Sequence, residues 1–181
     1  MNLPRAVLLA LALSSGACFV PSMPAGHMAV GPATPHPNVV VAPEKAPGTL
    51  VLGPSVDNDF VIPATGSVRE VPVHGWRATL EAAFHSAFSA PSSDRKLEIL
   101  EARLSFAPAA VSRGATAAVT ATIAFKARVL DGHDVELGIV AGTAQAKEAN
   151  VSVTEAAMTD SAAKAVESLY EALTAELLAK N

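Results

Sequence analysis

One thiol stands alone among the 181 residues, at Cys18. A lone cysteine can form neither an internal disulfide nor a Cys-based zinc site, so its chemistry is set by its place in the chain. The other candidates are histidines and carboxylates. Glu81 and His85 are spaced i, i+4, close enough on a helix flank for a carboxylate to orient an imidazole, but no nucleophile or oxyanion donor set accompanies them. Asp57-Asn58-Asp59 opens like a calcium loop and lacks the glycine and closing glutamate of the EF-hand spacing, which leaves a turn. Asp131, His133 and Asp134 surround Gly132 and also read as turn residues, while His27 and His36 sit nine apart with no scaffold around them. There is no Gly-x-Ser-x-Gly elbow, His-Glu-x-x-His pair or phosphate-binding glycine loop. The sequence points to no catalytic residue, no metal site and no cofactor, and so to a protein that is not an enzyme.

Cys18 acquires meaning from what precedes it. Arg5 and the amino terminus give a charged start, Ala6 to Leu13 is an unbroken apolar run, and Ser14 to Ala17 are small. That is the layout of an export signal over residues 1–17, and the run is less than half the length of about 20 residues that a spanning helix needs. Ser15-Gly16-Ala17-Cys18 resembles a bacterial lipobox, in which cleavage leaves a lipid-modified cysteine at the new terminus; Ser15 stands where leucine is usual. Ordinary cleavage after Ala17 is the other reading. Phe19 rather than Asp follows the cysteine, which by the same resemblance implies sorting to the outer membrane, with the domain facing the periplasm. The expected partners are the membrane, through Cys18, and an envelope protein.

A net charge of -4 and a pI near 5.7 exclude a nucleic-acid binder, because no basic surplus exists to displace counterions from phosphates. Apolar residues are 50% and aromatics 4%, so the core must be built mostly from Ala, Val and Leu. Seven prolines between Phe19 and Pro47 favour extended conformers, and residues 18–48 read as a mostly disordered tether. A single domain is expected over 49–181.

Its elements follow from periodicity. Thr49–Gly53 and Val68–Val73 are short β-rich runs flanking a loop. Trp76, Leu80, Ala83, Phe84, Ala87 and Phe88 recur at helical steps and predict a helix over 75–89, stopped by Pro91. Lys96–Phe106 alternates with Leu100, Ala102, Leu104 and Phe106 inward, and Ala117–Val129 alternates with Val119, Ala121, Ile123, Phe125, Ala127 and Val129 inward. After Asp131-Gly132, Val135, Leu137, Ile139, Ala141 and Thr143 are assigned to the apolar face. That assignment requires a three-residue loop pairing Val129 with Val135 and Phe125 with Ile139. Gly138, Val140, Gly142 and Ala144 then form a flat, small-residue outer face, a candidate surface for a partner or ligand. A final Ala-rich helix with a capping box at Ser152 and Glu155 carries Val166, Leu169, Tyr170, Leu173 and Leu177 on one stripe.

The expected fold is α+β in the order β-α-β-β-β-α, a four-stranded antiparallel sheet with two helices on one face. With the lipobox-like cysteine and Pro-rich segment, the Trp76-x3-Leu80 helix, the Ala/Val/Phe strand, the hairpin at Leu130-Asp131-Gly132 and the Ala-rich terminal helix, the chain resembles the auxiliary lipoproteins of ABC-type lipid transport systems and the YajG-like lipoproteins. The resemblance implies a non-enzymatic accessory role, docking with transport or assembly components. A second reading is a lipoprotein that holds a small apolar ligand between sheet and helices, near Trp76, Phe84, Phe106 and Phe125.

Overall fold

The computed structural model describes residues 29–63, 70–89, 93–108, 118–149 and 154–178; the expected signal and Cys18 lie outside them. The main sheet has the strand order β1-β4-β5-β6, formed by β1 (Thr49–Leu52), β4 (Lys96–Pro108), β5 (Ala118–Leu130) and β6 (Glu136–Ala149). A separate two-stranded sheet pairs β2 (Phe60–Ile62) with β3 (Val71–Val73), and helices α1 (Trp76–Ala87) and α2 (Glu155–Leu173) complete the domain. The sheet is mixed, not antiparallel as expected, because β1 runs parallel to β4 from Thr49↔Lys96 to Leu52↔Ile99. The chain leaves β1 and returns to β4 through β2, β3 and α1, and a crossover that includes a helix brings a strand back in parallel.

The helices form where the apolar spacing demands them. Trp76, Thr79, Leu80, Ala83 and Phe84 are the buried positions of α1; Met158, Ser161, Ala162, Ala165, Val166, Leu169, Tyr170 and Leu173 are those of α2. Thr154, not Ser152, caps α2, its hydroxyl accepting the Ala157 N–H at 3.2 Å. A π-helical turn over Thr174–Leu178 extends it and buries both Leu177 and Leu178. Tyr170 is fully buried between the helices and donates to the Leu80 carbonyl at 2.8 Å; burial pushes its phenol well above its ordinary range. Ser161 ties α2 to the sheet, accepting the Ala121 N–H at 3.2 Å.

Two strand expectations shift by a phase. A bulge between Ile99 and Glu101 makes Leu100 an extra residue, so the inward set is Leu97 and Ile99 on one side of it and Ala102, Leu104 and Phe106 on the other. The β5–β6 register also differs: Val129 pairs with Gly138 and Phe125 with Gly142, and a second irregularity lies between Val129 and Leu130. Asp131 closes the turn, its carboxylate accepting the N–H groups of His133 (2.8 Å) and Val135 (2.9 Å), and the left-handed residue is Asp134 at φ 63°. From Gly138 onward the register differs from the expected one by an odd number of residues, so those side chains change face.

The Pro-rich segment is, from residue 29 onward, part of the packed domain and not a free tether. Val30 bridges Val73 in parallel, with hydrogen bonds Val30 N–H to Pro72 O and His74 N–H to Val30 O, both 2.8 Å. The Ala33 N–H donates to Thr79 Oγ1 at 3.1 Å, and the His36 N–H donates to Glu167 Oε1 at 2.9 Å. Farther on, the Gly48 N–H bonds the Arg95 carbonyl at 2.9 Å and Ser93 Oγ bonds the Ala46 carbonyl at 2.5 Å. Val30, Pro35, Pro37, Ala46 and Pro47 are buried, so prolines that favour an extended chain here form a strap across both helices.

Candidate functional site

The strand that crosses the middle of the fold is longer than the one beside it. β1 covers β4 only as far as Ile99, and from Glu101 to Pro108 no strand pairs that edge among the described residues. Gly53 makes the departure possible. Its N–H still bonds the Ile99 carbonyl at 2.9 Å, and a Cβ there would come within 3.0 Å of the Leu100 carbonyl oxygen. Arg77, at the start of α1, then holds the departing loop by donating to the carbonyls of Val56 (2.9 Å), Leu52 (3.1 Å) and Gly53 (3.4 Å). Asp59 fixes its far end. One carboxylate oxygen accepts the Gly75 N–H at 3.1 Å and lies 3.3 Å from His74 Nδ1, while Asn58 Nδ2 donates to the other at 2.7 Å. These contacts, the Asn58 amide foremost and then the Gly75 N–H, hold the Asp59 carboxyl below its usual range.

Trp76 braces β4 beside this space from the core side. Its indole N–H donates to the Ala102 carbonyl at 3.0 Å, and Phe60 packs edge-on to its ring at 6.3 Å. The Ala102 carbonyl therefore points away from β5, and by the alternation of an antiparallel ladder the N–H and C=O of Leu104 point the same way. Between this edge and β2 lies a groove of about 490 Å³, with Phe60–Pro63 as one wall, Ala102–Leu104 as the other, and Pro54, Ser55 and Asp57 at its end. Val61 is 55% exposed on that wall. An open strand edge beside an apolar wall can accept an extended chain by main-chain pairing, with a pocket for its side chains.

The residues expected to form a site fall elsewhere. Gly138, Val140, Gly142 and Ala144 lie on the helix side of the sheet and not on its outer face: each pairs with an inward residue of β5, with Ala144 buried, Gly138 and Val140 half-buried and Gly142 exposed. Gly142 has a local reason, since a Cβ there would meet the Phe125 ring at 3.3 Å. The outer face carries Ile139, Ala141 and Thr143 instead, with Ile139 49% exposed, while Leu137, the extra residue at the irregularity, packs against the core. There Arg128 bonds Glu98 at 2.6 Å, which raises the affinity of its guanidinium for the proton. Trp76, Phe84, Phe106 and Phe125 are all buried in one continuous core, and none of them lines this groove. Phe84 packs on Phe88 and Phe88 on Tyr170, so the interior near these rings is occupied by other side chains.

Glu81 and His85 are exposed on α1, and Asp57-Asn58-Asp59 and Asp131–Asp134 are turns. Among the described residues no three His, Cys, Asp or Glu side chains group as metal ligands, and no helix is long and apolar enough to cross a membrane. The groove was missed because Phe60-Val61-Ile62 sits in the stretch read as a loop. A three-residue apolar run before Pro63 is its only sequence signal.

No protein-family model matches the chain, and no curated protein matches it by sequence. A solved structure, a minor lipoprotein from Acinetobacter baumannii, is similar at a TM-score of 0.43 and 11% identity, covering 73% of this chain and 90% of the other.

Proposed function

We propose that the chain is a lipid-anchored, non-enzymatic accessory lipoprotein of the bacterial outer membrane, which docks an envelope transport or assembly component at the open edge of β4. The observation that carries the docking half of this reading is the groove between Ala102–Leu104 and Phe60–Pro63, where a strand edge and an apolar wall face one another. Cys18 carries the anchoring half, because acyl chains contribute about 0.8 kcal/mol per buried methylene and hold a domain at a bilayer without a spanning helix.

Two measurements test it. Intact mass and detergent partition of the wild type beside Cys18→Ala should show an acyl increment and membrane partition, both lost in the variant. If both proteins are unmodified and soluble, the anchored reading fails. A photo-crosslinking side chain placed at Ser55 should capture an envelope protein, and Val61→Asp, which puts a charge on the apolar wall, should abolish the capture. Equal capture with and without Val61→Asp removes the groove from the interface.

A further inference from the structure

We infer that the strap limits how the domain can sit on the bilayer, leaving the β2–β3 end within reach of the lipid headgroups and holding the β5–β6 turn away from them. The inference rests on the acylation of Cys18 proposed above. Its new element is where the chain is tied down. Val30 is 2% exposed and locked to β3 by two 2.8 Å hydrogen bonds, and Ala33, His36 and Gly48 are each bonded in turn to α1, α2 or the lead into β4. After cleavage before Cys18, eleven residues, Cys18 to Met28, precede the described residues. At full extension they span at most about 40 Å, against about 110 Å if the domain were free up to Thr49.

That difference excludes one orientation. A compact unit of about 150 residues has a radius of gyration of about 15 Å, hence a radius of about 19 Å and a half-circumference of about 60 Å. A span of about 40 Å cannot run over the surface to the pole opposite Val30, whereas one of about 110 Å reaches every point on it. The end near Val30 is defined by pairing. Val73 lies beside Val30, and Val61 pairs with Pro72 one strand farther out, about 10 Å away at the usual strand spacing. The opposite end is reached by going from Trp76 to Ala102, then back along β4 about 20 Å to Lys96, beyond which the Asp131–Val135 turn projects. Exposed Val61 is thus within reach of the lipid surface and exposed His133 is not.

The test uses the full acylated protein, in which the lipid consumes the only native thiol and leaves an introduced cysteine as the single reactive one. Val61→Cys and His133→Cys, each labelled with bimane, are placed on phosphatidylethanolamine/phosphatidylglycerol vesicles containing a headgroup-nitroxide lipid. Quenching at position 61 should exceed that at 133 by at least about threefold, and inserting twenty Gly/Ser residues after Met28 should make the two equal. Equal quenching without the insertion, or stronger quenching at 133, overturns the orientation while leaving the anchor intact. A wild type that carries no acyl mass and does not sediment with the vesicles overturns both.

Discussion

Gly75 lies against Pro32 of the strap and Gly31 precedes that proline in open space, and replacing each by alanine separates the packed, strained position from the free one. Gly75 caps α1 at φ 67°, and a Cβ there would sit 3.0 Å from Pro32 Cβ of the strap. The left-handed conformation costs a non-glycine residue about 1–2 kcal/mol, and displacing Pro32 adds to it. Gly75→Ala should therefore destabilise by about 2 kcal/mol, roughly a 30-fold change in the folding equilibrium and about 4–8 °C in Tm for a chain of this size. Gly31 has nothing within 4 Å of the equivalent Cβ and no left-handed φ. Gly31→Ala should be neutral, or stabilising by about 0.4–1 kcal/mol through the unfolded state. Urea denaturation followed by Trp76 fluorescence reads both, since its indole N–H bonds the Ala102 carbonyl and its ring is buried. A Gly75→Ala midpoint within error of the wild type, or a Gly31→Ala variant equally damaged, would refute the packing of the strap on the helix cap.

Other outcomes follow from single contacts. Arg77→Met removes the donor to three carbonyls and should cost about 2–3 kcal/mol by urea denaturation, using about 1.5–3 kcal/mol for a hydrogen bond to a charged group and discounting the others for solvent access. Tyr170→Phe keeps the ring packing, loses the bond to the Leu80 carbonyl, and should cost about 1 kcal/mol in the same assay. The Asp131 carboxyl lies below its ordinary value because it accepts the Val135 and His133 N–H groups. A depressed native pKa gives stability that is present above the unfolded value near 3.8 and lost as pH falls through the native one. Asp131→Asn should accordingly flatten the loss of stability between pH 5 and pH 2, measured by denaturation at each pH.

How far the fold was legible depended on contrast between faces. On β5, Ile123, Phe125 and Val129 alternate with Thr122, Lys126 and Arg128, and the buried set is the one expected. On β6 neither face is polar enough to choose, and Ile139 goes outward because Phe125 needs Gly142 beneath it and α2 needs small residues under its own. The direction of β1 depends on what lies between it and β4, and nothing within Thr49–Leu52 encodes that. The bulge at Leu100 adds one residue without a glycine or proline to mark it. For the groove, the sequence shows its components but not their meeting: Phe60–Ile62 becomes a wall only once Arg77 and Asp59 have drawn the loop away from β4.

The strap also sets an order in time. Residues 29–48 precede every element they bind, and the bond from the His36 N–H to Glu167 spans 131 positions, so the strap's seat is complete only after α2 exists. Contacts of such separation close late, because the loop entropy must be overcome before they contribute. The first part of the domain to emerge is then the last to lock. A nucleus built from the β4–β5–β6 meander and α2, with substitutions in the strap accelerating unfolding far more than they slow folding, is the kinetic signature of that order.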